Sequence, residues 1–214
     1  MNIEKQMNDN FSILLNKILQ TNKYILDAGS RQGSFFYSEN SKVIFLDNDI
    51  SYLPEKKNNF IYADIVFLPF KKEIFDISIL KYVLEHTYFP DKIISSINKV
   101  LKPNGYLIIA VPKWYSFQDL LYRLLGFLAQ IFKRGKQAHI QLFSFKKICD
   151  LCYKNNFVLL CYKEYDSGLS FLDKTAKRKI FKKLIMRFIS IIFEMTKINL
   201  LSKGEMYFIF QKIK

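Results

Sequence analysis

The architecture of this chain follows from residues 23–33, which read Lys-Tyr-Ile-Leu-Asp-Ala-Gly-Ser-Arg-Gln-Gly. A short apolar run ends in the acid Asp27, and a turn that contains Gly29 and Gly33 follows it. Glycine lets a backbone approach a ligand closely because it has no Cβ atom. The pattern is typical of a first β-strand that enters a nucleotide-binding turn in an α/β fold. A second acid, Asp47, closes the next apolar run, Val-Ile-Phe-Leu-Asp.

Outward from this stretch, short β-branched and aromatic runs alternate with helical segments. The predicted strands cover residues 23–26, 42–46, 60–63, 75–80, 106–111, 157–162 and 206–213. The main predicted helices cover residues 3–20, 91–101, 117–132, 145–154 and 173–196. This alternation favours a mainly parallel sheet with helices on both faces.

The composition indicates a folded chain without a membrane span. The 214 residues suit one domain with a full core, and half of them are apolar, which argues against disorder. We find neither a signal or transit peptide nor the roughly 18 apolar residues that cross a bilayer. Three cysteines make no disulfide framework, so a reducing cytoplasm is expected. Cys149 and Cys152 have metal-like spacing, but His86 and His139 complete no ligand set, so we expect packed thiols and no metal.

The net charge of +14 is concentrated in the second half of the chain. Residues 1–114 carry 14 Lys and Arg against 12 Asp and Glu, whereas residues 115–214 carry 19 against 7. In residues 173–196, an apolar helical stripe is edged by Lys177, Arg178, Lys179, Lys182, Lys183 and Arg187. This excess indicates an anionic partner, namely a membrane, a nucleic acid or an acidic substrate. The alternative is a lysine-rich compositional bias, which does not explain the asymmetry.

Motifs in the middle of the chain follow one another in a specific order. Residues 60–70 read Phe-Ile-Tyr-Ala-Asp-Ile-Val-Phe-Leu-Pro-Phe, and residues 75–80 read Phe-Asp-Ile-Ser-Ile-Leu. Val-Leu-Glu-His follows at 83–86 and Val-Leu-Lys-Pro-Asn-Gly-Tyr-Leu-Ile-Ile-Ala-Val-Pro at 100–112. Over roughly residues 22–113 this succession resembles the class I S-adenosylmethionine-dependent methyltransferases, in particular the type 11 small-molecule methyltransferase domain. His-Ile-Gln-Leu-Phe-Ser at 139–144 resembles the family's later His-x-x-x-Phe-Ser/Thr segment.

The resemblance implies a fold and a domain organisation. The fold is a Rossmann-like sheet of seven strands, mainly parallel with the last strand antiparallel, with helices on both faces and helical lid insertions. One domain is expected over residues 1–214. Its parts are an N-terminal helix (1–21), a cofactor-binding core (22–113), a lid insertion (114–144) and a C-terminal part (145–214) with the basic helix at about 173–196.

The resemblance also implies the cofactor, S-adenosylmethionine, and the residues at its methionine end. Asp27 matches an acid near the methionine moiety, where a carboxylate can meet the cofactor's α-ammonium through water. Gly29 and Gly33 belong to the turn that approaches the ligand. Lys81 matches a position whose backbone lines the methionine end. One departure is Arg31, which occupies the place of the family's middle glycine and reshapes the turn if that position requires a positive φ.

The adenosine end is matched by residues that follow the second and third predicted strands. Asp47 matches the acid that accepts hydrogen bonds from both ribose hydroxyls. Asp64 matches the residue that accepts from the adenine amine, and Ala63 and Ile65 flank the ring.

Each acid also has a purely structural interpretation. Asp27 could cap the turn that follows it, and Asp47 competes with Asp49, which could be a helix N-cap. Asp64 could form an Asx-turn. We expect Asp76 to be structural.

Candidate bases are few. His139 begins the segment that often lies near the family's substrate pocket, and its alternative is a structural histidine that binds a loop carbonyl. His86 and Tyr115 follow the fourth and fifth predicted strands, where pocket-rim residues lie. Methyl transfer needs alignment first and a base only for some acceptors.

The insertions suggest the class of acceptor. Residues 115–134 are more apolar than a solvent-facing lid needs, and residues 173–196 are apolar and basic, which favours a small-molecule or lipid-like acceptor at an anionic membrane surface. The predicted location is the cytoplasm, with peripheral attachment to the inner face of the membrane. The alternatives are an RNA-modifying methyltransferase that uses the basic half and a non-catalytic binding protein that kept the fold. Nothing in the sequence fixes the oligomeric state.

Overall fold

A computed structural model describes residues 3–20, 23–29, 37, 41–49, 59–112, 141–167 and 203–213. The described helices are α1 (Ile3–Leu19), α2 (Pro90–Val100) and α3 (Phe145–Lys154), with a short 3₁₀ helix at Leu84–His86. The strands are β1 (Tyr24–Ala28), β2 (Lys42–Asp47), β3 (Phe60–Tyr62), β4 (Phe75–Lys81), β5 (Leu101–Pro112), β6 (Phe157–Ser167) and β7 (Lys203–Lys212).

The seven strands form one sheet in the order β3-β2-β1-β4-β5-β7-β6. The pairs β1–β2, β2–β3, β1–β4 and β4–β5 are parallel. At the end of β7, Gln211 Nε2 donates to Asn104 O at 3.1 Å and Lys212 Nζ to Leu101 O at 2.8 Å. The end of β7 therefore lies beside the start of β5, so the last strand is antiparallel and the predicted fold class is confirmed.

Successive side chains of each strand point to opposite faces of the sheet, so the strands contribute to a core on each side. The face that packs on α1 consists of Phe11, Ile18, Leu19, Ile25, Val43, Ile77, Ile79, Ile108 and Ile209. The opposite face includes Leu26, Leu80, Ile109 and Phe208 and packs on residues of α2 and α3, namely Ile93, Ile94, Ile97, Ile148, Cys149 and Cys152. Because apolar residues fill both sides, the strands read as nearly continuous hydrophobic runs.

Helix α3 shows why these residues form helices where they do. The Ser144 side chain accepts a hydrogen bond from Lys147 N at 3.2 Å, which caps the first turn. Ile148, Cys149 and Cys152 then recur at helical spacing and are buried. The Phe-Ser pair of the sequence motif is thus explained by packing and capping, since Phe143 is buried in the core.

Strand β5 begins earlier than the sequence predicts. Residues 101–105 look like a turn, but Leu101 already pairs with Phe75, and the register resumes between Ile77 and Tyr106. The intervening residues form a bulge in which Asn104 has a φ of +61°.

The chain divides into two compact units. The first comprises residues 1–111, 139–163 and 206–214 and contains Asp27, Asp47 and Asp64. The second comprises residues 112–138 and 164–205, most of which lie outside the described residues. The predicted lid insertion ends at residue 144, but Leu142 and Phe143 are already buried in the first unit. The single-domain boundaries stay a prediction.

Asp76 joins β4 to its neighbours through its carboxylate, as its predicted structural role requires. Its Oδ2 accepts from Tyr24 N at 2.9 Å and its Oδ1 from Lys102 Nζ at 2.9 Å. Burial disfavours the charged form, but these two hydrogen bonds and the charges of Lys102 and Lys23 outweigh it, so the pKa of Asp76 is lowered.

We expect Asp76→Asn to reduce the free energy of unfolding by about 1 kcal/mol at pH 7, because the partly exposed ion pair with Lys102 is lost. A lowered folded-state pKa gives stability that is present above the usual aspartate pKa, about 4, and is lost as the pH falls through the folded-state pKa. The difference between the two proteins should therefore shrink in urea unfolding at acid pH. The control is Asp150→Asn, at an exposed site on α3. A difference that stays constant with pH would contradict this account.

Candidate functional site

Four strand ends meet at one edge of the sheet and carry the predicted binding residues. Asp27 pairs with Phe45 and Ile79, and Asp47 pairs with Tyr62 at the end of β3. The strand order reverses direction between β1 and β4, and in open α/β sheets ligands bind at such a switch point, beyond the carboxyl ends of the strands. The topology therefore brings together the predicted residues of β1 to β4.

Asp27 is a fully buried carboxylate next to the end of β1. Its Oδ2 accepts a hydrogen bond from the Tyr37 hydroxyl at 2.5 Å. A buried charge is costly unless hydrogen bonds or an opposite charge compensate it. Its place near the carboxyl end of β1, beside the point where the strand order reverses, fits the predicted contact with a cationic ligand group.

Gly29 begins the turn after β1 in a conformation that requires glycine. Its φ is +73°, and its N donates to Leu46 O at 2.6 Å. A Cβ atom at this position would lie 2.5 Å from Val83 Cγ2. Gly29 in the turn after β1 therefore packs directly against Val83 in the turn after β4, with no room for a side chain at position 29.

The turn after β4 contains a strained residue. Tyr82 has a φ of +57°, a conformation that costs a non-glycine residue roughly 1–2 kcal/mol. Its N donates to Ala110 O at 2.9 Å, and its hydroxyl lies 3.5 Å from the Tyr207 hydroxyl. Lys81, the predicted methionine-end residue, precedes it and pairs with Ala110. This bend leads directly to Val83, which contacts Gly29.

Asp47 is 8% exposed at the end of β2. Its Oδ1 accepts from Asp49 N at 3.0 Å, and its carbonyl oxygen accepts from Ala63 N at 3.2 Å. The bond from Asp49 holds the Asp47 side chain in place. Of the two competing acids, Asp47 is the one at the end of β2, and its contact with a ligand stays a prediction.

Asp64 forms the Asx-turn that was its alternative interpretation. Its Oδ1 accepts from Val66 N at 2.9 Å, and its carbonyl oxygen accepts from Phe67 N at 2.9 Å. The residue is exposed, and Ala63 and Ile65 beside it are half-buried against the core. The turn fixes the position of the acid, and its contact with a ligand stays a prediction.

The later motif docks on the turn that carries His86. Gln141 N donates to Glu85 O at 3.1 Å, and Gln141 Nε2 donates to Thr87 O at 2.8 Å. Lys147 Nζ in turn donates to Gln141 Oε1 at 3.1 Å. The structure thus joins Gln141 to the two residues that flank the half-buried His86, whose catalytic role stays a prediction.

Three residues of the sequence-based site lie outside the described residues: Gly33, His139 and Tyr115. Arg31, the departure from the family's glycine pattern, lies outside them as well. The same holds for most of the predicted lid insertion and for the whole of 173–196. Their roles remain predictions.

The two cysteines of α3 are buried thiols, as the sequence predicted. Burial raises the pKa of Cys149 and, more strongly, that of Cys152. A raised pKa keeps a thiol protonated and unreactive near neutral pH. In the part of the chain that the structure describes, no group of three or more His, Cys, Asp or Glu is arranged to hold a metal ion.

A groove lies between α2 and α3. It has a volume of about 500 Å³ and is lined by Pro90, Asp91, Phe143, Ser144, Lys146, Lys147, Asp150, Leu151 and Lys154. It contains none of the predicted binding residues, so its residues do not alter the assignment of the site.

Sequence reasoning did not predict three residues that contact or shape the candidate site: Tyr37, Tyr82 and Gln141. Tyr37 lies ten residues beyond Asp27 and belongs to no periodic pattern. Tyr82 takes a conformation for which the sequence would favour Gly or Asn. Gln141 stands inside a quoted motif, and its two contacts with residues 85 and 87 are visible only once the segment is folded.

Comparisons with known proteins agree with this geometry. A family model described as a methyltransferase domain matches residues 2–162. Among curated proteins, no sequence matches the chain.

Several solved structures share the fold. A proposed methyltransferase of Bacillus halodurans C-125 is 15% identical, with 96% of this chain and 100% of that chain covered and a TM-score of 0.64. A SAM-dependent methyltransferase of Archaeoglobus fulgidus is 16% identical, with 98% of each chain covered and a TM-score of 0.60. Phosphoethanolamine N-methyltransferase 2 of Haemonchus contortus, solved with S-adenosyl-L-methionine, is 17% identical over 97% of this chain but 53% of that one, with a TM-score of 0.59. At these identities the likeness shows the fold.

We expect Gly29→Ala to destabilise the fold by roughly 1–3 kcal/mol, because a positive φ is unfavourable for alanine and its Cβ would clash with Val83. Val83→Ala removes the clashing atoms but not the backbone strain. Relative to Val83→Ala alone, the double variant should therefore lose only about 1 kcal/mol. Urea unfolding of the three variants measures both contributions. If Val83→Ala gives Gly29→Ala no relief, the close approach of the two turns is refuted.

Proposed function

The chain belongs to the methyltransferase domain family, whose cofactor is S-adenosylmethionine, and we propose that it transfers a methyl group to a small-molecule or lipid-like acceptor. The resemblance to class I S-adenosylmethionine-dependent methyltransferases is thereby confirmed. The acceptor, the membrane surface and the roles of individual residues belong to the proposal.

One observation carries the proposal. Two buried carboxylates, Asp27 and Asp47, stand at the carboxyl ends of adjacent parallel strands, and between them in sequence Gly29 brings its backbone close to the turn after β4. A ligand with a cationic amino group at one end and two vicinal hydroxyls at the other suits this pair of acids. The half-buried Ala63 and Ile65 offer apolar contacts for a flat ring at the end of β3. The described residues therefore fit S-adenosylmethionine.

The chain's contribution to the reaction is mainly alignment. S-adenosylmethionine, when bound, would supply a methyl group on a positively charged sulfur, and in-line attack of the acceptor atom on the methyl carbon would release S-adenosylhomocysteine. In the proposal, Asp47 holds the ribose, Asp27 receives the amino group, and the backbone at Gly29 and Lys81 bounds the methionine end. Holding two reactants in line removes much of the entropic part of the barrier.

Three residues are proposed to serve the acceptor: His86, His139 and Tyr115. His86 lies in the turn that Gln141 contacts, beyond the end of β4. A histidine near neutral pH can take a proton from an acceptor hydroxyl or amine as the methyl group arrives. A small-molecule acceptor is supported by neighbours such as the 1,6-didemethyltoxoflavin-N1-methyltransferase of Burkholderia thailandensis, which is 13% identical.

We expect S-adenosylhomocysteine to stabilise the protein and Asp47→Ala to abolish the effect. At about 100 times its Kd the ligand should add about 2.7 kcal/mol, a rise in Tm of roughly 5–10 °C for a chain of this size. Asp49→Ala is the matched control, because it keeps the backbone N–H that binds Asp47. Thermal unfolding with and without ligand measures all three proteins. An unchanged Tm in the wild type at millimolar ligand would favour a non-catalytic binding protein.

We also propose that the protein works in the cytoplasm at the inner, anionic face of a membrane. The excess of 19 basic over 7 acidic residues in 115–214 supports this, as do the six basic residues that edge the apolar stripe predicted from the sequence of 173–196. None of the helices described by the structure is long and apolar enough to span a bilayer. RNA is the alternative anionic partner, but the apolar residues that accompany the basic ones in 173–196 are mainly aliphatic, with three phenylalanines among them.

We expect the protein to cosediment with vesicles that contain phosphatidylglycerol, and not with vesicles of phosphatidylcholine alone. Each basic side chain near an anionic surface contributes about 1 kcal/mol, so replacing Lys177, Lys179 and Lys183 by alanine should weaken binding roughly 100-fold. The matched control replaces three exposed lysines elsewhere, Lys71, Lys72 and Lys146. Equal losses in both triple variants, or salt-dependent binding of RNA without vesicle binding, would contradict the membrane proposal.

A further inference from the structure

We propose that Tyr37 is a positioning residue for the amino-acid end of the cofactor, which it orients through the carboxylate of Asp27. The inference rests on the proposed function, since it assumes that S-adenosylmethionine binds at the ends of β1 to β4. The sequence assigns Asp27 to this end and gives Tyr37 no role.

The hydrogen bond between the two side chains carries the inference. The Tyr37 hydroxyl lies 2.5 Å from Asp27 Oδ2, and Asp27 is fully buried. The phenol hydroxyl donates and the carboxylate oxygen accepts. A hydrogen bond to a charged group is stronger than one between neutral groups, and here it helps to compensate a charge that is removed from solvent.

Packing fixes the phenol that makes this bond. Tyr37 is half-buried against the core face that includes α1, and its ring meets that of Phe45 edge-on, with centroids 6.3 Å apart and an angle of 64°. Phe45 belongs to β2 and pairs with Asp27 itself. The donor and the acceptor are therefore both held by the same pair of strands.

The bond determines how Asp27 meets a ligand. A donor on Oδ2 fixes the rotation of the carboxylate about its Cβ–Cγ bond, so the direction in which Oδ1 points is set before the ligand arrives. Because the carboxylate is already oriented, less conformational entropy is lost when the cofactor's amino group binds to it. Tyr37 touches the ligand only through Asp27 in this arrangement, which makes it a positioning residue and not a catalytic one.

This role predicts that loss of the Tyr37 hydroxyl lowers the affinity only for ligands that carry the amino-acid moiety. S-adenosylhomocysteine carries the amino-acid moiety, whereas 5′-methylthioadenosine has the same adenosine and thioether without the amino and carboxyl groups. Loss of the Tyr37 hydroxyl should weaken binding of the first ligand and leave binding of the second unchanged. A general loosening of the fold would weaken both.

The experiment is calorimetric titration of both ligands into the wild type, Tyr37→Phe, Asp27→Asn and the double variant. We expect Tyr37→Phe to raise the Kd for S-adenosylhomocysteine about tenfold, in line with a hydrogen bond to a charged group, and the Kd for 5′-methylthioadenosine to stay the same. In the Asp27→Asn background, Tyr37→Phe should add little further loss, because the two side chains act as one unit. Tyr106→Phe, at a half-buried tyrosine on the same core face, is the matched control.

Urea unfolding of each variant separates binding from folding. Three results would overturn the role of Tyr37. In Tyr37→Phe these are an equal rise in the Kd of both ligands or an unchanged Kd for S-adenosylhomocysteine, and in the double variant the third is an additive loss of affinity. Should Tyr37→Phe fold poorly, Asp27→Asn alone must still show the selective loss, and its absence would overturn the role as well. A wild type that binds neither ligand would refute the proposed function, and the inference would fall with it.

Discussion

The close approach of Gly29 to Val83 is the contact on which the rest of the site depends. It joins the turns after β1 and β4, the two strands between which the sheet reverses its order. The contact needs a residue without a side chain on one strand and a left-handed bend at Tyr82 on the other. With both turns fixed, the backbone beyond β1 and β4 can bound a ligand, and the buried Asp27 stands directly before the first turn.

Much of this fold could be predicted because it follows local patterns. The bounds of α3 follow from the cap at Ser144 and an apolar face at helical spacing, and Asp27 and Asp47 stand out as acids that close apolar runs. The rest depends on tertiary contacts. The hydrogen bond from Tyr37 to Asp27 links residues that share no periodic pattern, and the left-handed backbone of Tyr82 contradicts its local preference. The positions of these acids at strand ends were thus predictable and their contact with a ligand stays a prediction, whereas the residues that contact them were not predicted.

The two halves of the chain differ in net charge and in the roles that are proposed for them. Residues 1–114 are nearly balanced in charge and carry the residues assigned to the cofactor, and the methyltransferase family model covers residues 2–162. The segment 173–196 lies beyond that match and has the most concentrated positive charge. Cofactor binding is therefore the part of the function that the family accounts for. The choice of acceptor and of surface is proposed to reside in the predicted lid insertion at 114–144 and in the basic segment 173–196.

The most direct test of the central claim is a crystal structure of the protein with S-adenosylhomocysteine. The account predicts that the ligand lies across the carboxyl ends of β1 to β4, with its ribose hydroxyls hydrogen-bonded to Asp47 and its amino group beside Asp27. Its thioether should lie near the backbone of Gly29 and Lys81. A ligand bound elsewhere, for example in the groove between α2 and α3, or one whose ribose makes no hydrogen bond with Asp47, would contradict the account.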